Sequence, residues 1–392
     1  MAEPWLEDPL GYLIGPERID SFMTRIYEKE ALIVHHNDPK RFAGLISVDA
    51  VDRLVSQVDL REGQIDLANA GATRRLQRSD YVDAAGFIDR GAIADYHRGG
   101  ATVIMQQAHQ HEPSLGRFCR GLEYLFSCHI QTNLYLTPPH AQGFGTHYDN
   151  HCVFAVQIHG EKTWRLYDKP VDTPFRGEGF ESSVHKTGEL RQEFVLKAGD
   201  CVYVPRGLMH DAVSSGDESS LHVTVGFITR TWADLVLEAI SEAALRTPEA
   251  RRSLPPGYIK QGFDREPWRA YLRQLAKTLA DDVQLDAALD LIGDQFIRSR
   301  SAENRGAILD AARGMKSDDK LRRHPFAPYR IAEDGDVLVL IGPGGEIKYA
   351  PEDRARLERA LSGAVVTPKE LGGTEPEDFA AKLFAYGVLI RA

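Results

Sequence analysis

The sequence predicts an α+β protein: a sandwich or barrel of short strands, a helical segment behind it, and a small winged-helix module at the carboxy terminus. Three observations carry that prediction. Beyond residue 126 the runs IQTNLYL, CVFAVQI, KTWRLY, EFVLKAGDCVYV and SLHVTVGFI follow one another with Gly and Pro turns and no helical period between them. After residue 230 the apolar period changes from two to 3.6. The last sixty or so residues read as strand, Gly-rich turn and strand (DVLVLIGPGGEIKYA), three helix signals, and a closing strand, GVLIRA.

The elements follow in order. Pro16 opens a helix on which Ile19, Phe22, Met23 and Ile26 form one apolar stripe, and ALIVHH after it reads as a strand. HEPSLGRFCRGLEYLF (111–126) is a helix leading into the strand-rich region. In the helical segment, Trp268, Tyr271, Leu272, Leu275 and Leu279 share one face, and Leu285, Ala288, Leu289, Ile292 and Phe296 share another. Such faces must be covered, by the barrel or by the same helices of a second subunit, and a homodimer through 231–320 is the expectation. RRHPFAPYR (322–330) reads as a linker, and Thr367 and Thr374 read as helix N-caps. The expected domains are therefore a catalytic domain over 1–230 with its barrel core at about 100–230, helices over 231–320, and a winged helix over 325–392.

Composition removes several classes of function. With 392 residues, 43% of them hydrophobic, the chain can bury full cores. A formal charge of −10 argues against broad phosphate-tracking surfaces. Residues 321–392 hold ten basic against eleven acidic side chains, so the winged helix lacks the footprint of DNA binding and a structural or protein-binding role is expected. Cys119, Cys128, Cys152 and Cys201 show no C-x-x-C spacing and read as reduced packing thiols. The acidic amino terminus has no signal-peptide pattern and no run reaches 18 apolar residues, so a soluble, cytoplasmic protein with no membrane contact is expected.

The chemistry concentrates in GTHYDNHCVFAVQIHGEK (145–162). His147 and Asp149 are two apart, so on extended chain an imidazole and a carboxylate converge. Sixty-three residues on, Gly199, Pro205, Gly207 and His210 fit G-x5-P-x-G-x2-H, in which a Pro-Gly turn delivers a histidine inward. Gly160, eleven residues past Asp149, completes the first half of a double-stranded β-helix motif. The Glu of a four-ligand version would fall at Val153 or Phe154, both apolar, so three ligands remain. Two His and one carboxylate hold Fe(II) on one face and leave the opposite positions open, whereas a structural zinc site is closed by four ligands. The bland alternative is a pair of satisfied core histidines.

NLYLTPPHAQGFGTHYDNHCVFAVQIHGEKTWRLY, followed by YVPRGLMH and SLHVTVGF, resembles the JmjC-type cupin oxygenases that hydroxylate ribosomal proteins, specifically so over about 100–230 and more weakly in the order of domains. The resemblance implies Fe(II), 2-oxoglutarate and O2, with His147, Asp149 and His210 binding the metal and Lys162 pairing with the distal carboxylate of 2-oxoglutarate. It implies hydroxylation of an Arg or His type side chain of a protein or peptide, such as a ribosomal protein. Asn133 and Tyr135 occupy positions from which relatives contact the cosubstrate; a strand-end cap for Asn133 and a core aromatic for Tyr135 are equally open readings. On its own residues Lys162 is less defined: a tight turn at Gly160–Glu161 would set it opposite His159, and a lysine at a hairpin end is usually solvated. Gly226 stands where relatives often carry Ser near 2-oxoglutarate. His222 reads as packing, His151 and Cys152 as pocket or supporting residues, and His109 and His111 as incidental. Rival functions are hydroxylation of a ribosomally made peptide, methyl-lysine demethylation, a non-catalytic ligand-binding regulator, and a cupin with another metal and no cosubstrate.

Overall fold

The computed structural model describes residues 3–392, leaving the first two residues of the acidic amino terminus outside it. The chain forms two compact units, one running to Thr229 and the other from Arg230 to Ala392.

The first unit is built on two antiparallel sheets. The larger has the order β1 (Leu32–Val34), β8 (Cys201–Val204), β5 (Cys152–His159), β10 (Ser220–Ile228), β4 (His129–Thr137), β3 (Thr102–Met105), β2 (Ile65–Ala68). The smaller has the order β7 (Gln192–Lys197), β6 (Glu161–Leu166), β9 (His210–Ser214). The run CVFAVQI is apolar on both sides because β5 sits between β8 and β10 with both faces covered. Val153, Ala155, Val202 and Val204 of the large sheet pack on Trp164, Leu166 and Leu196 of the small one, which makes the jelly-roll interior.

The opposite face of the large sheet is covered by helices. Pro113–Phe126 starts as its sequence suggests, with Pro113 in the first turn and the Glu112 side chain accepting from the Ser114 amide, and it buries Leu115, Phe118 and Leu122. Each such side chain contributes up to about 1.5–3 kcal/mol of apolar burial. Strand β10 alternates between the two environments. Leu221, Val223, Val225 and Phe227 enter the helix-side core, which leaves His222, Thr224 and Gly226 facing the other way.

Three expectations are corrected in detail. The helix after Pro16 is a 3-10 turn, one α turn and a π turn over Phe22–Ile26; the wide turn rotates the stripe, so Phe22 is fully buried and Met23 is exposed. In the second unit, the expected linker 322–330 begins and ends in strand, and only 324–329 carries no helix or strand. β11 (Leu321–Arg323) pairs with β15 (Leu389–Arg391), the His324 amide donates to Val388 O, and Arg391 reaches Asp310 and Asp319. The folded module thus extends back to Ala307. Thr367 caps its helix with a reciprocal Glu370 box as expected, but Thr374 does not cap: Glu375, in the left-handed region, occupies that position.

The rest of the second unit contains helices Trp232–Arg246, Glu266–Asp282 and Leu285–Arg298, the meander β12 (Arg330–Asp334), β13 (Val337–Gly342), β14 (Gly345–Tyr349), and three short helices before β15. The helical stripes form, yet Trp268, Tyr271, Leu272, Leu285 and Leu289 remain exposed, and Trp232 is 79% exposed. No helix among the described residues is long and apolar enough to cross a membrane. The four cysteines are free and buried.

Candidate metal centre

His147 lies just before β5 and is bridged to the first residue of β9: the His147 amide donates to His210 O at 3.0 Å, and the His210 amide donates to His147 O at 2.8 Å. Asp149 is held beside them by the Pro205–Gly207 turn, whose Gly207 amide donates to Asp149 O at 2.9 Å. Gly207 has φ +85°, and a Cβ there would lie 2.1 Å from Val171 O, so the turn requires glycine. The result is a cluster in which one ligand atom from each of His147, Asp149 and His210 lies within 4.8 Å of the others. His147 Nε2 is 3.9 Å and His210 Nε2 is 3.8 Å from the Asp149 carboxylate.

Both imidazoles are set for a metal. His147 Nδ1 faces Gly145 O at 2.9 Å and His210 Nδ1 faces Leu208 O at 3.0 Å. A carbonyl only accepts, so each Nδ1 carries the proton and each Nε2 lone pair is turned to the cluster. Burial pushes the His210 pKa down, and His147 beside it acts in the same direction. Burial alone would raise the Asp149 carboxyl, but His210, His151 and His147 outweigh it and hold it below its ordinary value. Two neutral imidazoles and a carboxylate suit a first-row divalent ion, and the donor set supplies three ligands rather than four.

The neighbours of the two histidines are tied to each other, which the sequence reading did not foresee. Asp211 is 5% exposed and accepts from Thr146 Oγ1 at 2.7 Å and from the Tyr167 hydroxyl at 2.8 Å, with Arg165 at 3.4 Å. Because Thr146 precedes His147 and Asp211 follows His210, this network fixes the separation of the two ligand segments. Asp211→Asn combined with Thr146→Val should lower metal retention about 10–100-fold, the usual cost of losing outer partners of metal ligands, while the fold is retained. Dialysis against a graded chelator measures it.

The cluster opens into a cavity of about 730 Å³, counting its open mouth. Lys162 lies in its wall, 3% exposed, with Nζ donating to Thr137 Oγ1 at 2.9 Å and with no carboxylate partner among the described residues. Burial alone pushes its pKa down to about 7. The expected route to that position is corrected. β5 and β6 are not a hairpin: β5 pairs with β8 and β10, β6 pairs with β7 and β9, and the chain crosses between sheets at Gly160. His159 is therefore exposed while Lys162 points inward.

Tyr135 and Asn133 face the same cavity from β4. Asn133 Oδ1 accepts from the Gln107 amide at 3.1 Å. Tyr135 stacks on His222 with ring centroids 4.7 Å apart, and its phenol is pushed up to about 12, by burial first and then by Asp149. His222, read from the sequence as packing, is a cavity-wall residue whose Nδ1 has no hydrogen-bond partner. Trp164, also unforeseen, stacks on His210 at 5.9 Å. His109 and His111 each enter local contacts, with Thr132 and with Gln64, and form no ligand cluster.

These features make a three-residue cluster suited to a single metal ion, and residues 104–235 match the family model for the JmjC domain. The chain matches curated relatives that carry the names of ribosomal oxygenases and histidyl hydroxylases. It is 26% identical over 364 residues to Ribosomal oxygenase 1 of Danio rerio, covering 84% of this chain and 66% of that protein. It is 30% identical over 308 residues to the bifunctional lysine-specific demethylase and histidyl-hydroxylase NO66 of Drosophila mojavensis, covering 73% of this chain and 34% of that protein. The chain thus spans less than two thirds of the length of either relative. The crystal structure of Escherichia coli ycfD superposes with a TM-score of 0.57 at 17% identity, covering 95% of this chain and 98% of that one, a likeness of fold. The same Escherichia coli protein, described as a ribosomal oxygenase, has been solved with cobalt and 2-oxoglutarate and superposes with a TM-score of 0.53 at 17% identity, covering 95% of this chain and 97% of that one.

Proposed function

We propose that this chain is an Fe(II)- and 2-oxoglutarate-dependent oxygenase that hydroxylates a side chain of a protein, with a ribosomal protein as the substrate class. The observation that carries the reading is one cavity holding both a three-ligand cluster with its Nε2 lone pairs free and a buried lysine without an acidic partner. Ferrous iron bound there supplies oxidation by O2: 2-oxoglutarate becomes succinate and CO2, and the second oxygen atom enters a C–H bond of the substrate. His147, Asp149 and His210 would hold the metal. Lys162 anchors the distal carboxylate, and Asn133 and Tyr135 line the same pocket. The apolar Trp164 and Phe144 help to exclude bulk water.

Succinate formation by the purified chain with iron and 2-oxoglutarate, challenged with whole ribosomes and read by mass spectrometry, tests this. A gain of one oxygen supports hydroxylation; loss of a methyl group would assign the demethylase activity that the name of the NO66 relative includes. Absence of metal-dependent succinate would favour a ligand-binding regulator or a cupin of other chemistry.

The exposed apolar faces of Glu266–Asp282 and Leu285–Arg298 support a homodimer through 231–320, and the near-neutral charge of 325–392 supports a structural winged helix that does not bind DNA. Leu272→Glu with Leu289→Glu should convert the dimer to monomer in sedimentation equilibrium. A cytoplasmic location fits this reading.

A further inference from the structure

Gly226 has an ordinary backbone conformation, so nothing in its φ calls for glycine. The reason lies beside it. A Cβ at Gly226 would sit 2.8 Å from Nε2 and 2.9 Å from Cδ2 of His151, closer than packed atoms tolerate. The ring of His151 therefore fills the space a side chain on this strand would take, and it lines the metal cavity.

The orientation of that ring follows from its neighbours. Asn150 Nδ2 donates to Arg176 O, which turns Asn150 Oδ1 towards His151 Nδ1 at 3.4 Å. An amide oxygen only accepts, so Nδ1 is the donor in this contact, and the Nε2–Cδ2 edge is the one turned to the space beside Gly226. Along β10, His222 and Lys162 mark one end of the cavity, and Gly226 with His151 stands four residues further on, about 13 Å of strand. The end opposite the anion-anchoring lysine, next to Asp149, is where a substrate side chain would meet the metal.

We propose that His151 selects the side chain to be hydroxylated by accepting a hydrogen bond from an N–H at its tip, and that Gly226 is the cutout that lets the ring lie there. This rests on the oxygenase reading. The substrates it favours end in guanidinium, imidazole or carboxamide, and an aliphatic side chain leaves Nε2 unpaired in the cavity.

The test uses the full-length chain with Fe(II) and 2-oxoglutarate and capped peptides identical but for a central Arg, His, Asn or Leu. The wild-type chain should hydroxylate at least one N–H peptide in preference to the Leu peptide. His151→Ala should raise the KM for that peptide about tenfold more than the KM for 2-oxoglutarate. Gly226→Ala, which displaces the ring, should give the same split. Because Gly226 acts only through His151, the double variant should be no worse than His151→Ala, whereas multiplying effects would overturn the proposal. A wild-type chain that forms succinate yet modifies none of the N–H peptides, or prefers Leu, also overturns it and leaves the oxygenase reading standing. Absence of succinate from the wild-type chain removes both.

Discussion

Asp149→Asn should abolish metal retention and turnover together while leaving the fold in place. The carboxylate is the one anionic member of the cluster, and it stands 3.9 and 3.8 Å from the two imidazole nitrogens beside it. An amide of the same shape keeps the packing and removes the charge, so the two neutral imidazoles are left to hold a divalent ion alone. The loss should exceed the about 10–100-fold attached to outer partners of metal ligands. Iron remaining after gel filtration, measured by elemental analysis, reads it directly, and an unchanged near-ultraviolet spectrum shows that folding is intact. Retained iron in this variant would mean that the ligands lie elsewhere.

Lys162→Ala should raise the 2-oxoglutarate requirement on the order of 100-fold while iron still binds, since truncating one partner of a buried charge pair commonly costs 2–5 kcal/mol. The pH dependence is specific. With its pKa at about 7 in the empty pocket, Lys162 must be protonated to meet a dicarboxylate, so the KM for 2-oxoglutarate should rise as pH increases above about 7. Lys162→Arg, always charged, should flatten that rise. Stability moves the other way. The unfolded lysine holds its proton up to its ordinary 10.5 while the folded one releases it at about 7. Between those values the unfolded state binds more protons, so the ligand-free protein gains stability as pH rises through that window. Lys162→Met should remove this slope, as thermal melting at pH 6 and pH 9 would show.

The metal cluster was legible because its parts are local. A His-x-Asp pair and a Pro-Gly turn three residues ahead of a histidine are fixed by short stretches of chain, and the structure brings His147, Asp149 and His210 together. Lys162 was legible as a residue but not by its route, since the switch of sheets at Gly160 depends on which distant strands β5 and β6 find. Strand β9, HDAVS, has no apolar run and exists because β6 pairs with it. The segment after Leu321 looked like a linker because of its two prolines, yet β11 is needed to pair the last strand, and no local signal records a partner some seventy residues away. His222 was underestimated for the same reason: alternation along β10 places it on the inner face, but only the closed jelly roll makes that face a cavity wall.

Anaerobic addition of 2-oxoglutarate to the Fe(II)-loaded chain is the most direct test, because a keto acid chelating ferrous iron produces a visible charge-transfer band only if two positions on the metal are open. The three-ligand site predicts that band in the wild-type chain and its loss in Asp149→Asn. Stoichiometric iron binding without any band would mean a closed or misplaced metal and would contradict the account.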